Sequence, residues 1–300
     1  MSIIKSFAVG NGDMFYIFHD SDNLSIIDCC LTDDNRDRIL KEIIKLNNKK
    51  GIMRFISTHP DEDHIRGLEY LDDKIGIMNF YAVANRAAKA DTTESFKRYC
   101  MLRDHNEKSF KIHNSCTRKW MNKSDEERGA SGIDILWPKI ENAEFQKALK
   151  VAEKEGSPNN ISPIIKYSSH GGVRALWMGD METEFMSNIE DELLDILTEI
   201  DILFAPHHGR NTGRVPSKIL KKMNPKIIVI GEGNSEDLNY YNGYKTITQN
   251  SYGDIIFECK NSKFCVYSSK KRNINSIVNS QMLNYNFIDT IYITKSLRFI

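Results

Sequence analysis

Six consecutive residues constrain this chain more than its length does. The segment His59-Pro-Asp-Glu-Asp-His64 hangs from the end of the β-rich run Met53–Thr58, and Ile65–Leu71 then reads as the start of a helix. In an extended segment His59 and Asp61 point the same way, because strand side chains alternate. Asp63 and His64 fall in the first turn of the helix, where the chain swings them back toward the same point. Gly67 keeps side-chain bulk off the nearby helix face. Two imidazoles and two carboxylates at one strand-to-helix connection repel and desolvate one another unless a cation joins them. The spacing therefore predicts a metal site, against the plainer alternative of a solvated acidic loop.

The rest of the chain can support such a site. Of 300 residues, 40 % are hydrophobic and 27 % charged, ordinary values for a globular protein with a sizeable core. Apolar runs such as Ile202–Pro206 and Lys226–Gly231 suit buried strands and fall far short of the roughly 20 residues that cross a bilayer. No membrane role is expected. Met1–Ser6 lacks the charged and apolar regions of a signal peptide, which makes a cytoplasmic location the expectation. The six cysteines include no Cys-x-x-Cys pair and are expected to be reduced, although Cys259 and Cys265 could face each other across a hairpin. The net charge is zero but unevenly spread. Residues 209–226 hold six Lys/Arg and no acid, whereas 182–201 hold eight acids and no base. Basic stretches beside a hydrolytic site would draw in a polyanion.

Strands are expected at 2–9, 14–19 and 24–28, separated by Gly10-Asn-Gly-Asp13 and Asp20-Ser-Asp-Asn23, both turn chemistry. Asp34–Asn47 shows helical spacing through Ile39, Leu40, Ile43 and Ile44. Further strands are expected at 78–84 and 133–137, and a helix at 141–155. The second half repeats the grammar, with strands at 162–168, 174–178, 201–205 and 226–230, helices at 182–199 and 216–223, and β segments near 253–258 and 263–268. Two similar halves of strands followed by helices predict an α/β fold, an αββα sandwich of two packed mixed sheets with outer helices. The expected domain covers 1–270, with a polar, mostly helical insert at about 86–128. A C-terminal extension, 271–300, carries Tyr285, Phe287, Tyr292 and Phe299 and offers a surface for a protein partner or homo-oligomer.

His-x-Asp-x-Asp-His followed by x-x-Gly resembles the second motif of the metallo-β-lactamase superfamily, and the aspartate at its third position resembles the soluble ComEC/Rec2-type competence-protein domain. Four further segments match in order. Phe7-Ala-Val-Gly-Asn-Gly-Asp13 resembles the opening turn, Ile26-Ile-Asp28 the first acidic motif, Trp177-Met-Gly-Asp180 the strand-ending aspartate, and Phe204-Ala-Pro-His-His-Gly209 the His-His-Gly signature. Gly253-Asp-Ile-Ile-Phe257 resembles part of the closing hairpin. The resemblance spans about residues 2–268 without accounting for the insert.

The resemblance implies the metallo-β-lactamase fold and assigns roles. His59 and Asp61 would bind one metal, Asp63 and His64 the other, with Asp180 bridging and His207 completing the second site. His208 competes for that last place and is otherwise a substrate-binding residue. Asp28 would hold the motif loop. A bridging water, acidified to hydroxide, would be the nucleophile, so that Asp63, His64 and Asp180 act in catalysis. The family's third motif often supplies a histidine. Here its place falls on Asn159-Asn-Ile-Ser162, where Asn160 offers at best a weak carbonyl ligand. One histidine with oxygen donors favours Mn²⁺ or Mg²⁺ over a tight Zn²⁺, as one ion or two.

Two-metal sites suit displacement at phosphorus. The leading expectation is a phosphodiesterase or nuclease acting on DNA or RNA, with Arg210 and Arg214 beside the bound phosphate and Lys218, Lys221 and Lys222 continuing the basic stretch. Two alternatives stay open. One is hydrolysis of a small molecule such as a cyclic nucleotide, a thioester or a lactone. The other is a non-catalytic nucleic-acid-binding module.

Overall fold

The computed structural model describes residues 1–231, 237–270 and 286–292. Its first sheet draws on both ends of the chain. Strands β1 (Ser2–Ser6), β2 (Phe15–Phe18) and β3 (Asn23–Ile27) form an antiparallel meander. The two-residue β4 (Cys29–Cys30) pairs only in isolated bridges, with Ile65 and Arg66. Strands β5 (Ile52–Ile56), β6 (Phe80–Ala82) and β7 (Ser109–Lys111) then add in parallel to β3. The second sheet takes β8 (Ile133–Trp137), β9 (Ile164–Ser168), β10 (Arg174–Trp177), β11 (Ile202–Phe204), β12 (Ile227–Ile230) and β13 (Thr246–Thr248) in sequence order. The chain returns to β1 through β14 (Ile255–Lys260), β15 (Lys263–Ser268) and β16 (Asn286–Tyr292). The first sheet thus runs β16-β15-β14-β1-β2-β3-β5-β6-β7.

Alternation along the strands explains why the sheets stack. Phe15 and Ile17 of β2, Ile27 of β3, Ile56 of β5 and Tyr81 of β6 share one core with the second sheet. Their neighbours Tyr16, Ile26, Phe55 and Phe80 share the other core, on the opposite face. Across the inner interface Phe15 meets Trp177 edge-on at 6.1 Å and Phe204 at 4.9 Å, while Trp177 and Phe204 stack at 4.7 Å. Helices α1 (Arg36–Asn47), α2 (Glu62–Ile65), α3 (Leu68–Ile75) and α4 (Glu94–Arg103) accompany the first sheet. Ile39, Ile43, Leu68, Leu71, Tyr99 and Leu102 pack against its outer face. Helices α5 (Ala143–Glu153), α6 (Thr183–Asn188), α7 (Glu190–Ile196) and α8 (Ser217–Met223) belong to the second, where Phe145 and Phe185 meet Trp137 edge-on. A short α9 (Gln249–Tyr252) precedes the closing hairpin. The architecture is the expected α/β/β/α sandwich. No helix among the described residues is long and apolar enough to cross a membrane.

Several local expectations change. The helix after His64 breaks at once: α2 ends at Ile65, and Gly67 adopts a left-handed φ of 76° before α3 begins. A Cβ there would lie 2.7 Å from the Leu31 side chain. The bridges from Cys29 and Cys30 to Ile65 and Arg66 therefore close over a residue that has to be glycine. The acidic helix bends at Ile189 into α6 and α7, which puts Ile189 and Leu193 in the core. Residues 86–128 contain a single helix, α4, and the strand β7. Beyond them Asn, Ser and Thr side chains bond the backbone in turns, as Asn122 Nδ2 does to Cys116 O at 2.9 Å. None of the six cysteines forms a disulfide, and Cys265 faces Glu258 rather than Cys259. Of the C-terminal extension, Asn286–Tyr292 extends the first sheet as β16; Tyr285 and Phe299 lie outside the described residues.

Candidate metal centre

The site lies where the ends of β5, β10 and β11 approach the turn between β1 and β2. Each group reaches it for a local reason. His59 leaves the end of β5, and His64 lies in α2; both are buried, with ring centroids 4.1 Å apart. Asp180 follows β10 and is 2 % exposed. After β11, His207 and His208 hold left-handed φ values of 51° and 55°, followed by Gly209 at 83°. Non-glycine residues seldom adopt that conformation, and two in succession mark a backbone held against its preference. The bonds from His207 N to Gly179 O (3.0 Å) and from Arg210 N to His207 O (2.9 Å) hold the turn, and both rings face Asp180.

The four imidazoles share one orientation. On the Nδ1 side, three rings have a hydrogen-bonding oxygen and the fourth, His208, faces a carboxylate without bonding it. His59 has Thr58 Oγ1 at 3.1 Å and Ser162 Oγ at 3.4 Å, His64 has Asp28 Oδ2 at 2.9 Å, His207 has Thr212 Oγ1 at 2.9 Å, and His208 has Asp13 Oδ1 at 3.3 Å. On the Nε2 side, each faces a carboxylate. His59 lies 3.6 Å from Asp61, His64 3.0 Å from Asp180, His207 3.6 Å from Asp180, and His208 3.3 Å from Asp63 and 3.4 Å from Asp180. Those inward contacts lack hydrogen-bond geometry. The Nε2 atoms of His59 and His64, both ring nitrogens of His208 and Oδ1 of Asp180 are buried with no hydrogen-bond partner. Buried polar atoms are seldom left so. Nitrogens and oxygens that converge without bonding one another fit a cation between them, and the outer oxygens fix which ring nitrogen carries the proton.

One donor set is tighter than the rest: atoms of Asp13, His64, Asp180 and His208 lie within 4.8 Å of one another, all four residues buried. Asp13 was not among the residues singled out from sequence. It belongs to the opening turn, where Gly12 makes its approach possible. A Cβ on Gly12 would sit 2.5 Å from both Asp63 O and Cys30 Sγ, and Asp13 N bonds that same Asp63 O at 3.0 Å. The acidic residue that closes Phe7-Ala-Val-Gly-Asn-Gly-Asp13 is the sequence signal for it. His208, read as a substrate contact or alternative ligand, stands in the tightest set, whereas His207 is the more exposed of the pair.

Burial and charge act against each other here. His59 is desolvated and lies beside His64, which pushes it down to about 3 and keeps it neutral. Burial also opposes charge on His64 and His208. The Asp180 and Asp28 carboxylates outweigh it at His64, and Asp13 and Asp180 at His208, so both rings are held well above the ordinary imidazole value. Asp180 is correspondingly held well below the usual carboxylate range, because His64 and His208 overcome its burial. Without an ion, protons on two imidazoles supply the positive charge that the carboxylates require. Asp28 is raised by burial, although Thr58 N (2.7 Å), Thr58 Oγ1 (2.6 Å) and His64 all bond it.

The remaining predicted residues divide. Arg210 stands at the rim, 3.4 Å from His207 Nε2 and bonded to Asn11 Oδ1. Arg214 lies instead over the Tyr240 ring at 5.0 Å. Asn160 turns to Glu182, donating to Oε2 at 2.8 Å and accepting from Glu182 N at 3.0 Å. Lys218 pairs with Glu190 of the acidic helix.

No family model matches the chain, and no curated protein matches it. Among solved structures, a metallo-beta-lactamase with a HARLDQ motif from Cronobacter sakazakii (Enterobacter sakazakii) is similar to it. That match covers 66 % of this chain and 70 % of the other, at 12 % identity and a TM-score of 0.34. The buried Asp/His group, which stands on this chain's own residues, has the composition of a divalent-metal site.

Proposed function

We propose that this protein is a metal-dependent hydrolase that cleaves phosphodiester bonds of nucleic acid. The observation that carries the reading is the convergence of the imidazoles on Asp180, with the outer nitrogens of His59, His64 and His207 hydrogen-bonded and the inner nitrogens of His59, His64 and His208 unsatisfied. Imidazole nitrogen mixed with carboxylate oxygen suits Mn²⁺ or Zn²⁺. Asp13, Asp63, His64, Asp180 and His208 would hold the ion. When bound, a divalent ion polarises a phosphoryl oxygen and acidifies water. Asp28 keeps the His64 proton on Nδ1 and its Nε2 directed inward.

At the rim, Arg210 presents a planar fork of N–H donors, the geometry that binds phosphate oxygens in pairs. The basic run 209–226 around it and the ComEC/Rec2-type resemblance support a nucleic acid as the polymer. The test strips the chain of metal and returns Mn²⁺, Mg²⁺ or Zn²⁺ in the presence of single- and double-stranded DNA and RNA. Asp180→Asn runs alongside. Metal-dependent cleavage by the wild type alone is expected. Intact polymers under every metal, with cleavage of a cyclic nucleotide or another small ester instead, would sink the nuclease reading.

A further inference from the structure

One cation already stands inside the donor constellation. Lys89, from the loop between β6 and α4, bonds Asp61 Oδ1 through its ammonium. The loop that delivers it is firmly tied. Ala88 N bonds Ala152 O at 3.0 Å, Ala87 N bonds Asn85 Oδ1 at 3.1 Å, and Asn85 Nδ2 bonds Val83 O and the Tyr99 hydroxyl, both at 2.8 Å. Asp61 itself begins α2 without capping it, so its carboxylate has no competing backbone role. Its other oxygen lies 3.6 Å from His59 Nε2. Lys89 and Asp61 are each just over a quarter exposed, at the mouth of the site.

Two unequal groups stand out among the donors, with Asp63 and His207 beside the first, against His208 and Asp180. Asp13, His64, Asp180 and His208 converge within 4.8 Å. His59 and Asp61 form a second pair, in which Asp61 is bonded to an ammonium and to which Asn160, committed to Glu182, adds nothing. A divalent ion entering that pair would have to displace Lys89 or sit beside a like charge.

We propose that Lys89 occupies the charge position of a second metal, so that the centre binds one divalent ion tightly and presents the lysine ammonium to an anionic group of the substrate. The inference rests on the metal-centre reading. It assigns to the 86–128 insert a specific task, that of supplying a fixed monovalent cation where His59 and Asp61 would otherwise share an ion.

Mn²⁺ alone is the probe. Metal-free wild type, Lys89→Met and Lys89→Gln are titrated with Mn²⁺, bound metal is counted by elemental analysis after desalting, and electron paramagnetic resonance reads whether ions are coupled. The expected result is one tightly held Mn²⁺ in the wild type with an isolated-ion spectrum. The variants should take a second ion at least about tenfold more tightly than the wild type and give a coupled-pair signal. Two tight, coupled ions in the wild type would overturn the proposal and leave the metal centre standing, and so would variants that stay at one ion. A wild type that retains none would overturn both. The wild-type spectrum decides even where a variant fails to fold.

Discussion

Two buried clusters of charge in this molecule are built in opposite ways. Around Asp254, every oxygen is used: Ala8 N bonds it at 3.0 Å, Arg38 at 2.6 Å, and the fully buried Lys5 lies at 3.2 Å while also bonding Glu42 at 2.7 Å. That cluster ties β1 to α1 and to the start of β14, and burial of Asp254 is outweighed by Lys5 and Arg38, which hold its carboxyl low. Around Asp180 the charges are as deeply buried, yet Asp180 Oδ1 and the inner nitrogens of three histidines lack hydrogen bonds. Burying a charge is expensive unless it is paired and bonded. The first cluster meets that requirement with its own side chains and serves the fold. The second is left incomplete by the chain, as a site for something else must be.

The contrast breaks most sharply on its two central carboxylates. Asp180→Asn is expected to abolish metal retention and lower cleavage by about a thousandfold or more, since metal-derived charge stabilisation is worth several kcal/mol. The metal-free melting temperature should move far less than in the mirror variant. Asp254→Asn should destabilise the chain by about 1–3 kcal/mol, the cost of weakening a buried hydrogen-bonded charge while Lys5 keeps Glu42. Activity per folded molecule should be unchanged. Denaturant melts and metal analysis of both variants check the pair, and equal loss of stability with equal loss of metal would erase the distinction.

Much of this contrast was legible in the sequence, and the illegible part has a pattern. The segment from His59 to His64 is contiguous, so strand alternation and one helical turn suffice to predict that its side chains converge. Alternation likewise reveals the two faces of β2, with Phe15 and Ile17 inward and Tyr16 outward. Asp13 could not be weighed in this way. It meets His208 only because Gly12 lets the opening turn press on Asp63. The order of His207 and His208 was equally hidden, because two left-handed residues decide which ring joins the tightest donor set. Asn160 and Arg214 were drawn away by Glu182 and Tyr240, competitors that local patterns do not display.

A smaller effect separates anchoring from binding. Asp28 touches His64 and Thr58 but lies behind the imidazole, not among the tightest donors. Asp28→Asn keeps an acceptor for Thr58 and can turn an N–H toward His64, which favours the wrong tautomer. A loss of about 10–100-fold in metal affinity is expected, with little change in the geometry of the rim. Isothermal titration with Mn²⁺ measures it, and unchanged affinity would mean that Asp28 only holds the loop.

The gentlest probe is pH, applied to the metal-free chain. Ordinary imidazole has a value of 6.5, and the folded state raises His64 and His208 above it. The unfolded chain gives up those protons as pH passes 6.5, whereas the folded chain keeps them. Stability from these two groups is therefore complete below about pH 6.5 and is lost as pH rises through their folded values, at about 1.4 kcal/mol per pH unit for each. His59, pushed down to about 3, works in the other direction, and its contribution falls away as pH drops from 6.5 toward that value. Metal-free stability from the three histidines should then peak near pH 6.5. A bound ion replaces the two protons, so metal-induced stabilisation should grow from pH 6 to pH 8 over the same range in which the metal-free chain weakens. Melting curves with and without Mn²⁺ check both slopes. Parallel slopes would mean that no proton leaves the site when metal enters, and that the unsatisfied nitrogens around Asp180 are not its ligands.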